Sequence, residues 1–203
     1  MNILITAGGT REYIDPVRFI SNASTGKMGF AIARAAVKAG HDVTLITAPV
    51  SIEPPKEASV VCVQTAAEMF EAVKNNFPKC DCLIMAAAVS DYTPVKSSKT
   101  KIKKSKAELE IKLKPTKDIL AWAGKNKVEK IVVGFALEDT DLKTNAERKL
   151  KSKKLDMIVA NGPGAIGAEA STVYIKTPQA DWIELTNKSK NITARKIIQL
   201  IGG

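Results

Sequence analysis

Histidine is almost missing: His41 is the only one in 203 residues, and it follows Gly40, where a helical pattern stops. Chemistry that needs a histidine base, or a triad built on one, is therefore not expected. Aromatic residues make up 5% of the chain, and none falls inside its densest lysine run. That weighs against a stacking platform for single-stranded nucleic acid. Cysteines are few and odd in number. Cys62 lies in an apolar strand pattern and reads as a small core residue. Cys80 and Cys82 lack the Cys/His partners of a zinc site. No apolar run approaches the roughly 20 residues that span a bilayer. The first residues show neither a basic region nor a small-residue cleavage site. The expectation is a cytoplasmic protein with no membrane partner. A dinucleotide fingerprint is also lacking, because Gly8, Gly9, Gly26 and Gly29 do not form G-x-G-x-x-G. Thr47-Ala48-Pro49 stands where a ribose-binding acid belongs, which argues against a nicotinamide-dependent reductase.

What is abundant is lysine. The formal net charge is +10, which favours anionic partners: nucleic acid, acidic surfaces or phosphorylated small molecules. Lys96, Lys99, Lys101, Lys103, Lys104 and Lys106 crowd one segment, and Lys149, Lys151, Lys153 and Lys154 another. The first cluster suits a solvated mobile loop, a nonspecific nucleic-acid contact, or a lid closing over a triphosphate. Ile102 interrupts it and offers an apolar anchor. Lys149 and Lys153 share a helix face at i, i+4, where like charges repel unless an anion lies between them.

Hydrophobic content of 45% and a length of 203 residues suit one domain with a full core, spanning 1–203. Strands are expected at 3–6, 43–47, 60–63, 82–86, 130–136 and 156–160, and helices at 27–39, 66–77, 116–125, 140–153 and 192–201. Thr116 is the expected N-cap of the third helix, with Asp118 in its first turn. Leu109–Leu113 alternates apolar and charged residues and reads as a half-wet strand. Alternating strands and helices predict an α/β fold: a Rossmann-like, doubly wound, mostly parallel sheet. A hairpin of 173–175 with 182–185 adds a small antiparallel extension near the C-terminus.

Two loops draw attention. The first runs from Gly8-Gly9 through Arg11, Arg18 and Asn22 to Gly26 and Lys27 at a helix start, an arrangement that collects backbone N–H groups around an anion. A turn that only let a helix pack closely would not need those polar residues. The second, Ala86-Ala87-Ala88-Val89-Ser90-Asp91, follows a strand at its carboxyl end, where ligands of open α/β sheets bind. Asp91 there suits a ribose hydroxyl, a hydrated Mg²⁺ or a helix cap.

Together these segments resemble the phosphopantothenoylcysteine synthetase family, in its bacterial and archaeal branch. The resemblance rests on Ile5–Arg11, Asp15–Asn22, Gly26–Ala31, Ala87–Tyr92, Lys101–Lys104, Val133–Ala136 and Leu155–Asn161, in order along nearly the whole chain. It implies a ligase with 4′-phosphopantothenate, L-cysteine and CTP as substrates and Mg²⁺ as cofactor. An acyl-cytidylate forms with loss of pyrophosphate, and the cysteine amine then displaces CMP. By motif, Asn22 and Lys101 would be catalytic. Gly8, Gly9, Met85, Ala86, Ala87, Asp91, Lys117, Asp118, Ile119, Leu120, Phe135, Lys149 and Lys153 would hold the nucleotide. Arg18, Asn22, Ala87 and Ala88 would hold phosphopantothenate. No dedicated metal site is implied; Mg²⁺ would come with the triphosphate, with Asp91 as its candidate protein ligand. The resemblance further implies a homodimer, association with a flavin-dependent phosphopantothenoylcysteine decarboxylase, and no nucleic-acid or membrane partner.

Overall fold

The computed structural model describes residues 1–202. Its spine is β1 (Asn2–Ala7), buried from Ile3 onward. In a strand successive side chains face opposite ways. Ile3 and Ile5 accordingly enter one apolar cluster and Leu4 the other. A strand apolar on both faces belongs at the centre of a sheet covered on both sides. β1 pairs in parallel with β4 (Asp42–Thr47) and β6 (Cys82–Met85). The parallel array is completed by β5 (Ser59–Cys62), β9 (Ile131–Leu137) and β10 (Met157–Asn161). The expected hairpin is present and longer than anticipated, as β11 (Ala170–Lys176) and β12 (Ile183–Ser189). It joins β10 in antiparallel fashion, giving the order β12-β11-β10-β9-β6-β1-β4-β5.

Two helices cover one face: α1 (Lys27–Lys38) and α5 (Lys190–Gly202), through Phe30, Ile32, Ile197 and Ile198. Three cover the other: α2 (Ala66–Asn76), α3 (Ile119–Asn126) and α4 (Leu142–Ser152). The buried stripe of α2 contains Met69, Phe70 and Val73, as the spacing predicts. Gly124 sets how closely α3 approaches the end of α4, because a Cβ there would meet the Lys153 carbonyl oxygen at 1.8 Å.

Outside the main sheet lie two ribbons. β2 (Arg11–Tyr13) pairs with β3 (Phe19–Ser21), and β7 (Tyr92–Pro94) with β8 (Leu113–Pro115). The expected strand at 109–113 is thus shifted: of it only Leu113 falls in β8, with the Lys112 carbonyl just before it accepting from Val95 N–H at 2.9 Å. Thr116 does not cap α3. Its hydroxyl donates to the Ser90 carbonyl at 2.7 Å, while Asp118 Oδ1 accepts from Ala121 N–H at 2.9 Å and is the cap. Cys62 is exposed rather than in the core, because its strand is the sheet edge.

Candidate active site

A cavity of about 840 Å³ opens at the carboxyl ends of β6, β9 and β10. Its floor is the small-residue segment after β6, held by hydroxyls. Thr6 Oγ1 accepts from Ala87 N–H at 3.1 Å, and Thr10 Oγ1 from Ser90 N–H at 2.9 Å. Asn22 reaches this segment from the first loop. Its Nδ2 donates to the carbonyls of Ala88 and Val89 at 3.4 and 3.1 Å. No described residue donates to its Oδ1.

On one wall, α4 supplies Lys149 and Lys153. Lys149 donates to the Phe135 carbonyl at 2.8 Å, and Lys153 pairs with Asp118 at 2.8 Å. Burial, with the Lys153 charge second, holds the Lys149 ammonium below the usual lysine range. Burial alone would raise the Asp118 carboxyl. The Lys153 hydrogen bond, the Ala121 N–H and the nearby lysine charges outweigh it and leave Asp118 below its ordinary value.

Most of the expected site residues meet here: Asn22, Met85, Ala86, Ala87, Ala88, Asp91, Lys117, Asp118, Ile119, Leu120, Phe135, Lys149 and Lys153 all line the cavity. Gly8 and Gly9 do not. They lie behind the floor, where the Gly8 carbonyl accepts from Ala88 N–H at 2.8 Å. Arg18 and Lys101 also lie outside the lining. Arg18 pairs with Asp15 at 2.9 Å and donates to the Ile102 carbonyl. Asp15 Oδ2 accepts from Ile102 N–H at 3.1 Å, while Oδ1 accepts from the N–H groups of Val17 and Arg18. The residue after Lys101 is thus clamped by its backbone to the turn between β2 and β3. The apolar anchor expected of Ile102 is here a polar one. Burial pushes the Asp15 carboxyl up, but these N–H groups and the Arg18 charge bring it below its ordinary value. On sequence alone Asp15 enters only within the segment that carries the resemblance and with no role of its own, although Asp-Pro is a turn signal. Lys190 in the cavity lining is not among the expected site residues, because the sequence pattern starts the closing helix two residues later.

The cysteine pair near β6 is apolar in character. Burial pushes the Cys80 thiol up to about 11 and the Cys82 thiol further. Among the described residues, no group of three or more His, Cys, Asp or Glu side chains is placed to hold a metal.

The sequence matches the family described as "DNA/pantothenate metabolism flavoprotein C-terminal domain" across residues 1–203. The chain belongs to this family. A 45% identical relative is the coenzyme A biosynthesis bifunctional protein CoaBC of Bacillus subtilis, aligned over 98% of this chain and 50% of that protein. Another, 47% identical, is a "cysteine/cysteine sulfinic acid decarboxylase" of an unknown prokaryotic organism, aligned over 98% of this chain and 58% of that protein. The chain spans about half the length of the curated relatives it matches. Among solved structures, the crystallised C-terminal domain of a CoaBC protein superposes with a TM-score of 0.86 at 38% identity, covering 98% of this chain and 93% of that one. The α/β sheet described above is therefore the fold of this flavoprotein C-terminal domain family.

Proposed function

We propose that the chain is a phosphopantothenate–cysteine ligase of coenzyme A biosynthesis, using CTP. The carboxylate of 4′-phosphopantothenate attacks the α-phosphorus, and pyrophosphate leaves. The amine of L-cysteine then attacks the acyl carbon, CMP leaves, and the amine gives up a proton. The observation that carries this reading is the cavity itself: a small-residue floor and a lysine pair on α4, with no cysteine or histidine among the described lining residues. Such a site positions reactants and stabilises charge rather than attacking the substrate. The likeness to CoaBC across the whole chain supports it. The decarboxylase name of the other relative describes a protein of which this chain matches 58%, and no decarboxylation is read into this cavity.

In this reading Phe135, Met85 and the 117–120 segment hold the base and ribose, and Lys149 and Lys153 hold phosphates. Asn22 orients the acyl group with its free Oδ1, and Lys101 approaches as pyrophosphate departs. Mg²⁺ enters with the triphosphate. Of the two carboxylates in the lining, Asp118 is already engaged by Lys153, so Asp91 is the one left to bind the ion. A homodimer and a decarboxylase partner, either fused or separate, complete the proposal. No described helix is long and apolar enough to cross a membrane, which agrees with a cytoplasmic setting.

The test is pyrophosphate release with 4′-phosphopantothenate, Mg²⁺ and either CTP or ATP, with and without L-cysteine. Release that requires phosphopantothenate and yields a cysteine amide is expected, faster with CTP. Folded protein releasing none with either nucleotide would overturn the assignment. Salt-sensitive binding to mixed-sequence DNA would then favour a role for the lysines on nucleic acid.

A further inference from the structure

The cavity is cationic on two sides. Lys149 and Lys153 come from the helical layer of α2, α3 and α4, whereas Lys27 and Lys190 begin α1 and α5 in the opposite layer. Lys190 donates to the Ala165 carbonyl at 3.2 Å, and Lys27 to the Gly167 carbonyl at 3.4 Å. Each ammonium has three donors, so neither is exhausted by these bonds. The two charges also feel each other. Burial lowers the Lys190 pKa first, and the neighbouring Lys27 ammonium lowers it further. Glu169 sits on this pair, ion-paired to Lys27. The Lys27 hydrogen bond and charge hold its carboxyl below the ordinary value, and Lys190 adds to the effect.

The two lysine pairs each carry one carboxylate, but the carboxylates differ. Asp118 is built in, because it also caps α3. Glu169 is not: its side chain is 84% exposed, and Lys27 is its only partner among the described residues. It lies on the glycine-containing loop between β10 and β11, near Gly167 and the residues that line the cavity.

We propose that Lys27 and Lys190 form a second phosphoryl-binding subsite, and that Glu169 is its internal occupant, displaced when a phosphate-bearing ligand enters. The inference rests on the ligase reading for the identity of its ligand. The chemistry it names is shared by two sources, the pyrophosphoryl tail of the nucleotide and the phosphate ester of phosphopantothenate. Displacement costs little, because an exposed carboxylate regains water when it leaves. The incoming dianion meets two ammonium groups already placed and partly stripped of water.

The experiment is calorimetric titration of the full chain with inorganic pyrophosphate, and separately with 4′-phosphopantothenate, at fixed moderate salt and without nucleotide. Lys27→Gln and Lys190→Gln should each weaken binding by about tenfold, with Lys190→Arg recovering most of the loss. Glu169→Gln should tighten it by about threefold or more. Lys196→Gln makes the same charge change further along α5 and should leave binding unchanged. A gain in Glu169→Gln for pyrophosphate assigns the subsite to the nucleotide tail; a gain for phosphopantothenate assigns it to the ester. Either supports the subsite. Equal weakening in Lys196→Gln and Lys190→Gln would show only diffuse attraction and overturn it. So would an unchanged affinity in Glu169→Gln, or no saturable binding to wild type and Glu169→Gln alike. Thermal melts of each variant separate misfolding from lost contacts. The ligase reading can fail independently, through absent pyrophosphate release in an enzyme that still binds pyrophosphate.

Discussion

Asn22 directs its amide protons at two backbone carbonyls, so a bound acyl group meets only its Oδ1. Asn22→Asp keeps the size but sets a carboxylate against those carbonyls and beside an anionic intermediate. We expect first-turnover pyrophosphate release to survive and amide formation to fall by about 100-fold, the loss typical of one positioned polar group. Rapid-quench analysis of the acyl-nucleotide decides this, and amide formation at the wild-type rate would refute it. Lys149 offers a pH test. Its pKa is lowered in the folded chain, so it releases its proton below the pH at which the unfolded chain does. Nucleotide affinity should therefore fall as pH rises through the lowered value, before ordinary lysines titrate. Stability should move the other way in that window, rising with pH, because the unfolded chain binds more protons there. Lys149→Met should lose both pH dependences, as read by nucleotide titration and by denaturant midpoints.

The turn between β2 and β3 clamps Ile102 through a carboxylate with several N–H partners. Asp15→Asn keeps the shape but loses the charge. Amide exchange at Ile102 should quicken by about tenfold, the cost of one weakened charge-assisted bond. Exchange in β1 should stay as it is. Asp15 has a depressed pKa, so the clamp is complete above the ordinary carboxylate range and is lost as pH falls through the depressed value. The same variant with unaltered exchange at Ile102 would remove the clamp. Gly124→Ala tests a helix contact: its methyl collides with the Lys153 carbonyl. The expected loss is about 1–3 kcal/mol of stability, with weaker nucleotide binding because Lys153 moves. Thermal unfolding and nucleotide titration would show both.

Elements also explain what the sequence could reveal. Long periodic segments such as β1, α1 and α2 were legible because burial on one or both faces writes its period into the residues. The ribbons were not, since strands such as Arg11–Tyr13 and Tyr92–Pro94 are too short to show alternation. Cys62 misled because an edge strand turns a side chain to water that a central strand would bury. Helical spacing puts Lys149 and Lys153 on one face, and the family resemblance, not the spacing, implies their role at the nucleotide. Lys27 and Lys190 share no such pattern, for only the closed fold brings them together.

At the scale of the whole molecule, both ribbons leave apolar side chains in water. Val17 is 57% exposed, Tyr92 56% and Val95 54%. In the proposed dimer a second copy of the chain would cover some of these side chains. Sedimentation should show a dimer at micromolar concentration and a monomer for the double variant Tyr92→Lys, Val95→Lys. A monomeric wild type at high concentration would dismiss the dimer. The layering of the cavity also governs when it comes into existence. α1 is made well before α5, yet they bury one another and supply Lys27 and Lys190 to the corner proposed to bind phosphate. A chain still growing on the ribosome thus has its first loop, its floor and its α4 lysines before that corner can close. Ligand capture by nascent chains should therefore switch on abruptly, when α5 clears the exit tunnel and docks on α1.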